Sequence, residues 1–195
     1  LIVENKPKAN FEPNDKYEYS NTNYITLARI IELVSNKSFE SFMRDNIFIP
    51  LGMNHTRVWN LISEDKTFEG KTDGFEDLAG EVQEIKPTFV DGVAGDGAVF
   101  SSLNDFVKWD KFWYENKLIS NENLKDAFKR PTLNNGKKSN YGFGWVIINE
   151  DVVMHNGAWL AANTYFVRNT KKKTSFVILD NSSNLFFDKI IGSIK

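Results

Sequence analysis

The chain has 195 residues, 41% hydrophobic and 26% charged, a make-up that lets a globular protein bury about 70% of its unfolded surface. A net charge of −2 leaves no basic surplus for nucleic acid or an anionic membrane. The absence of cysteine excludes disulfides and thiolate metal sites, and no apolar run approaches the ~18 residues of a membrane span.

Residues 1–18 read as extended or loop, broken by Pro7 and Pro13. The chain starts at Leu1 without Met or a visible signal peptide, so the real N-terminus is expected elsewhere. Asn21 or Thr22 can cap a helix in which Tyr24, Leu27, Ala28, Ile31 and Val34 recur at helical spacing. Ser38 can cap a second helix that buries Phe39, Phe42, Met43 and Ile47 and ends before Pro50. Residues 54–92 are polar and irregular, a loop region with room for one hairpin. Ser102-Leu103-Asn104-Asp105 resembles a capping box, with Leu103, Phe106, Val107, Asp110 and Trp113 following on one stripe. Ser120 can cap a fourth helix carrying Leu124, Ala127 and Phe128. From Tyr141 the pattern turns to strands at 142–148, 152–155, 164–168 and 174–179, and 185–194 closes as a helix. Lys171-Lys172-Lys173 falls between the last two strands and reads as a solvated turn.

Helices first, then an antiparallel meander and a final helix, make the fold class α+β. The expected organisation is one domain over 1–195, mostly helical from about 20 to 130 and a sheet with the last helix from about 141 to 195. A meander of three or four strands leaves edges, and the last strand is the one expected to lack a neighbour.

Six motifs stand in a telling order. Tyr19-Ser20-Asn21 opens an amphipathic helix, and Pro50-Leu51-Gly52-Met53 follows a helix. Ala94-Gly95-Asp96-Gly97 precedes Ser101-Ser102-Leu103-Asn104-Asp105-Phe106. Tyr141-Gly142-Phe143-Gly144-Trp145 comes next, and His155-Asn156-Gly157 lies in a strand. Taken singly each is weak: Tyr19 could pack at a helix start, Asn21 could be a cap, and His155 could bond a backbone carbonyl. Taken in order, they resemble serine hydrolases of the penicillin-binding protein and class C β-lactamase type. The stretch before Tyr19 resembles the family's too, with Asn14 in place of its usual Gly. That is a mild departure, since Asn also tolerates left-handed backbone.

The resemblance implies an incomplete β-lactamase/transpeptidase-like fold and hydrolysis of an amide or ester through an acyl-serine. It implies catalytic roles for Tyr19, Asn21 and His155. Tyr19 would shuttle the proton, its pKa lowered by cationic neighbours, and Asn21 would bond the substrate's carbonyl or amide. His155 stands where β-lactamases carry Lys, which weakens the lactam reading in favour of D-amino peptides, cell-wall fragments or small esters. There it would bond the Tyr oxygen or substrate, with a charge that varies near neutral pH. Gly157 would admit substrate close to the strand, the Ala158 amide would give one arm of an oxyanion hole, and Trp159 would line the pocket or the core.

The family's Ser-x-x-Lys nucleophile has no credible match. Ser63-Glu64-Asp65-Lys66 follows Tyr19 instead of preceding it and lies in an acidic loop. The chain therefore reads as the C-terminal part of such an enzyme and is expected to be inactive alone. The alternative is a non-catalytic module that binds peptidoglycan-type peptides or a protein partner. No cofactor or metal is implied: His55 and His155 belong to no His cluster, and Asp91 and Asp96 lack calcium-loop spacing. Expected partners are a small molecule or peptide, and another copy through the exposed sheet edge. Relatives of this type mostly work in the periplasm, on membrane anchors or after secretion.

Overall fold

The protein was analysed as a computed structural model. It describes residues 2–6, 8–63, 67–115 and 118–183. The helix expected over 185–194, Lys66 and Asn116 lie outside them.

A short helix, α1 (Ile2–Asn5), stands where only loop was expected. The loop that follows is tied down at Asn14. Its φ is +69°, the left-handed conformation that Asn tolerates. Its side chain donates to Thr132 O at 3.0 Å, and Asn134 donates back to Asp15 Oδ1 at 2.7 Å. Helix α2 (Asn21–Ser35) begins one residue after Ser20, so Asn21 is its first residue and not its cap. Its inward face carries Tyr24, Ala28 and Ile31, but Leu27 and Val34 of the expected stripe point outward and are exposed.

Ser38 caps α3 (Phe39–Met43), accepting from Ser41 N at 3.1 Å. The helix continues as a π-helical turn, Arg44–Phe48, to Pro50. Helix α4 (Leu103–Glu115) has half of the expected capping box. Ser102 Oγ accepts from Asp105 N at 3.2 Å. The Asp105 carboxylate is turned elsewhere, to His55 N and Thr56 Oγ1 at 2.7 and 2.8 Å and to Lys108. Leu103 and Val107 are exposed, and Phe112 takes the buried place instead. Ser120 caps α5 (Asn121–Asp126).

The first strands are short. β1 (Arg57–Val58) pairs antiparallel with β4 (Val99–Phe100). β2 (Gly74–Leu78) and β3 (Glu81–Ile85) form the hairpin expected in 54–92. The main sheet is antiparallel in the order β5 (Val146–Ile147), β6 (Val152–Trp159), β7 (Ala162–Asn169), β8 (Thr174–Asp180). The strand expected over 142–148 shrinks to two residues. β8 is an edge of this sheet, and β9 (Ser182–Ser183) crosses over to pair parallel with β2. The fold is thus α+β.

Two apolar clusters hold these elements. Ala127, Trp145, Ile147, Val153 and Phe166 fill the space between the sheet and α4 and α5. Phe48, Met53, Val58 and Ala98 pack α3 on β1 and β4. Trp109 touches both. Among the described residues no helix is long and apolar enough to cross a membrane.

Candidate active site

Tyr19 and His155, from opposite ends of the chain, meet with their ring centres 6.5 Å apart. Two features bring them together. The Asn14–Asn134 bonds hold the loop that carries Tyr19. Gly95 then lets α2 dock on the Ala94–Gly97 turn: a Cβ there would lie 2.7 Å from Ala28 Cβ and from Tyr24 O. Its φ of +116° is also one that L side chains rarely adopt.

Two further tyrosines complete the cluster. Tyr141 Oη lies 3.0 Å from His155 Nε2 and 2.9 Å from Tyr24 Oη. The Tyr19 ring packs on Tyr24 and Tyr141, with centroids 5.8 and 5.9 Å away, and Tyr17 stacks on Tyr141 at 5.0 Å. His155 therefore bonds Tyr141 and not Tyr19. Among the described residues the Tyr19 hydroxyl has no hydrogen-bond partner. Tyr19 is 45% exposed, open to an incoming group.

The electrostatics differ from the sequence expectation. Burial raises the pKa of Tyr19, and Tyr24 and Asp96 raise it further. Among the described residues no cationic neighbour lowers it, so the phenol is neutral at neutral pH. Burial pushes Tyr141 far up, helped by Tyr24. Burial also lowers the pKa of His155, against a hydrogen bond with the Asn156 backbone. His155 is thus neutral at physiological pH, and its charge does not vary there as expected.

Gly157, Ala158 and Trp159 lie at the far end of β6 and line a cleft of about 1140 Å³. Asp96, Phe100 and Ser101 line it too; Tyr19, Asn21 and His155 do not. Alternation along β6 puts His155, Gly157 and Trp159 on one face, His155 and Gly157 about 7 Å apart. β5 pairs with β6 only as far as Met154. Ile148 N donates to Val152 O, so the backbone groups of even-numbered β6 residues point toward the β5 side. Beyond Met154 that side has no strand partner among the described residues, and the Ala158 amide faces this open edge. Trp159 both packs against the Phe48 cluster and donates to Asp91 Oδ1 at 2.6 Å. Asn21 is exposed, and its side chain has no hydrogen bond among the described residues.

The beta-lactamase family matches residues 5–190, nearly the whole chain. The chain belongs to that family. Penicillin-binding protein 4* of Bacillus subtilis (strain 168) is 35% identical over 184 residues, 88% of this chain and 41% of that protein. A D-aminopeptidase of Gluconobacter oxydans (strain 621H) is 24% identical over 92% of this chain and 34% of its own length. An octameric penicillin-binding protein homologue from Pyrococcus abyssi superposes with a TM-score of 0.75 at 26% identity, over 91% of this chain and 41% of that one. The chain therefore spans well under half the length of these beta-lactamase family relatives.

Ser63 opens the one Ser-x-x-Lys of the sequence. That residue is buried, and its hydroxyl accepts from Asn60 N at 3.1 Å to close a turn. Among the described residues no cluster of His, Cys, Asp or Glu could hold a metal ion. Sequence reasoning missed the roles of Tyr24 and Tyr141. Tyr24 reads as one more residue of an apolar stripe, and Tyr141 as the first residue of a glycine-rich motif. The one available signal was that four of the six tyrosines fall in or near two of the six motifs.

Proposed function

We propose that this chain is the C-terminal part of a serine hydrolase that cleaves an amide or ester through an acyl-serine, the serine lying outside these residues. The observation that carries this reading is the packing of Tyr19 against His155 in a member of the beta-lactamase family. Acyl transfer needs a group that takes the proton of the nucleophile and returns it to the leaving group. Tyr19 has an exposed, uncommitted hydroxyl for that role. As a neutral phenol it is a poor base, and it needs a nearby cation to lower its pKa. A lysine four residues' span from the absent serine would supply that charge. Asn21 would bind substrate from the start of α2, and the outward Ala158 amide would meet the developing oxyanion beside Gly157 and Trp159.

The D-aminopeptidase relative and a neutral His155 in place of lysine favour D-amino peptides or amides and small esters over β-lactams. No cofactor or metal takes part in this scheme. The octameric homologue supports self-association of the parent.

The test uses the natural full-length polypeptide and an activated D-aminoacyl ester, read by turnover and by mass of the acyl adduct. Tyr19→Phe should lower kcat by about 10²–10⁴-fold. Unchanged turnover would remove Tyr19 from the mechanism. The 195 residues alone should give no acyl burst; a burst lost in Ser63→Ala would show that the nucleophile is present after all. Tight binding of a D-Ala-D-Ala peptide by the full-length protein without any turnover would instead favour a binding module.

A further inference from the structure

The cleft beside Gly157 and Ala158 has charged walls, and most of the charges are engaged or open to water. Lys71 pairs with Asp73 and lies over the Trp59 and Phe100 rings, 5.1 and 5.7 Å from their centres. Arg57 lies over the Phe68 ring at 4.4 Å. Asp180 accepts from the Ser182 amide and hydroxyl at 2.9 and 2.7 Å. Glu69 is exposed to solvent. Asp96 differs from all of these. It is half-buried, and among the described residues its carboxylate has no hydrogen bond and no ion pair. It is also the lining carboxylate whose charge reaches Tyr19. Its turn is fixed at both ends. Gly95 presses on α2 at a φ of +116°, and Ala98, at +67°, is buried and accepts from Trp59 N at 2.8 Å. Asp96 is thus held where the Tyr19 cluster meets the cleft, as a negative charge that a bound cation would satisfy.

We propose that Asp96 is a specificity-determining residue that binds the α-ammonium group of an aminoacyl substrate as an ion pair. This inference rests on the acyl-transfer reading for the place of the substrate. In that reading the scissile carbonyl meets the Ala158 amide, and Tyr19 handles the proton. The ammonium nitrogen is only two bonds from that carbonyl carbon. The group that recognises it must therefore line the same cleft and lie near enough to act on Tyr19, and Asp96 does both. Phe68, Phe100 and Trp159 line the cleft as well and offer apolar surface to the substrate's side chain. The pairing also resolves a conflict at Tyr19. The charge of Asp96 raises the Tyr19 pKa, which works against taking a proton from the nucleophile. An ammonium beside Asp96 cancels that charge, so a substrate with a free amine eases the step that an N-acylated or deaminated one does not.

The experiment is calorimetric binding to the natural full-length protein of two small alcohols that cannot be hydrolysed. One is D-leucinol, and the other is isohexanol, the same molecule without its amine. Wild type should bind D-leucinol about 10–100-fold more tightly than isohexanol. Asp96→Asn, which keeps the shape and removes the charge, should lose that preference and bind isohexanol as wild type does. Asp96→Glu should recover part of the preference, since it restores the charge. Unchanged isohexanol binding in both variants shows that the cleft is still folded. Equal binding of the two alcohols by wild type overturns the proposal, as does a preference for the amine that survives Asp96→Asn. In turnover, D-leucine p-nitroanilide should lose about 10–100-fold in kcat/KM with Asp96→Asn, carried by KM, while isocaproyl p-nitroanilide should lose nothing. Preference for the amine without any hydrolysis upholds Asp96 and sinks the acyl-transfer reading. Hydrolysis without preference for the amine does the reverse, so the two can fail separately.

Discussion

His155 is held neutral by its burial, and that makes it a source of pH-dependent stability. The unfolded chain takes up a proton at about pH 6.5, the folded ring only at a lower pH. Between the two the unfolded state binds more protons, so stability rises with pH. The contribution is whole above about pH 6.5 and is lost as pH falls toward the folded value. Urea unfolding of wild type and His155→Gln across pH 5 to 8 should show this as a slope below about pH 6.5 that the variant lacks. Equal slopes would mean the ring protonates freely in the folded state. The tyrosines act in the opposite sense. Their raised pKa values contribute stability below the unfolded value of about 10, and it is lost as pH rises through the folded values. The sequence already suggested that Tyr19 and His155 belong together, because motif order survives without coordinates. It hid the contact of Tyr24 with Tyr141, because a bond between them depends on how α2 docks, and no local pattern encodes that.

At the scale of elements, an ion pair adds to the apolar contact of α4 with the sheet. Arg168 on β7 is fully buried, and its Nε donates to Asp110 Oδ1 on α4 at 2.6 Å. Its guanidinium faces the rings of Tyr114, Trp113 and Trp145, and Ser175 Oγ also donates to Asp110. Asp110→Ala leaves that charge uncompensated and should cost about 3–5 kcal/mol by denaturant unfolding. Adding Arg168→Met should recover most of the loss, since an apolar side chain needs no partner. A double variant no better than the single would show that the packing, not the charge, holds α4. Gly95 gives a second test. Gly95→Ala sets a methyl 2.7 Å from Ala28 Cβ on a left-handed backbone, so α2 must shift or the turn must strain. A loss of about 1–3 kcal/mol should appear, together with a changed near-ultraviolet signal from the tyrosine cluster. The helix starts at Ser38 and Ser120 were legible because a cap is a local bond within four residues. The outward turn of Leu27 and Val34 was not, since periodicity identifies an apolar face but not what covers it. Arg168 hid for the same reason: a lone arginine at a strand end reads as solvated until its aspartate is found on another element.

The whole molecule leaves much apolar surface open. Leu27, Ile30 and Val34 recur at i, i+3 and i+7 on α2 and are 53%, 49% and 83% exposed, with Leu33 beside them. Phe176 and Leu179 are exposed on β8, at the edge of the main sheet. A contiguous apolar stripe and a strand edge with no neighbour among the described residues are both association surfaces. The 195 residues alone should therefore self-associate as their concentration rises through the micromolar range, seen by sedimentation velocity. Each apolar square ångström covered contributes about 25 cal/mol, and the helix stripe is the more continuous surface, so it should dominate. Leu27→Lys with Val34→Glu should shift the chain strongly toward monomer, while Phe176→Lys on the edge should shift it less. If the edge variant alone abolishes association, strand pairing through β8 is the interface. A clean monomer in the unmodified chain at high micromolar concentration would mean that neither surface is sticky enough to matter, and that the exposed α2 stripe does not drive association in water.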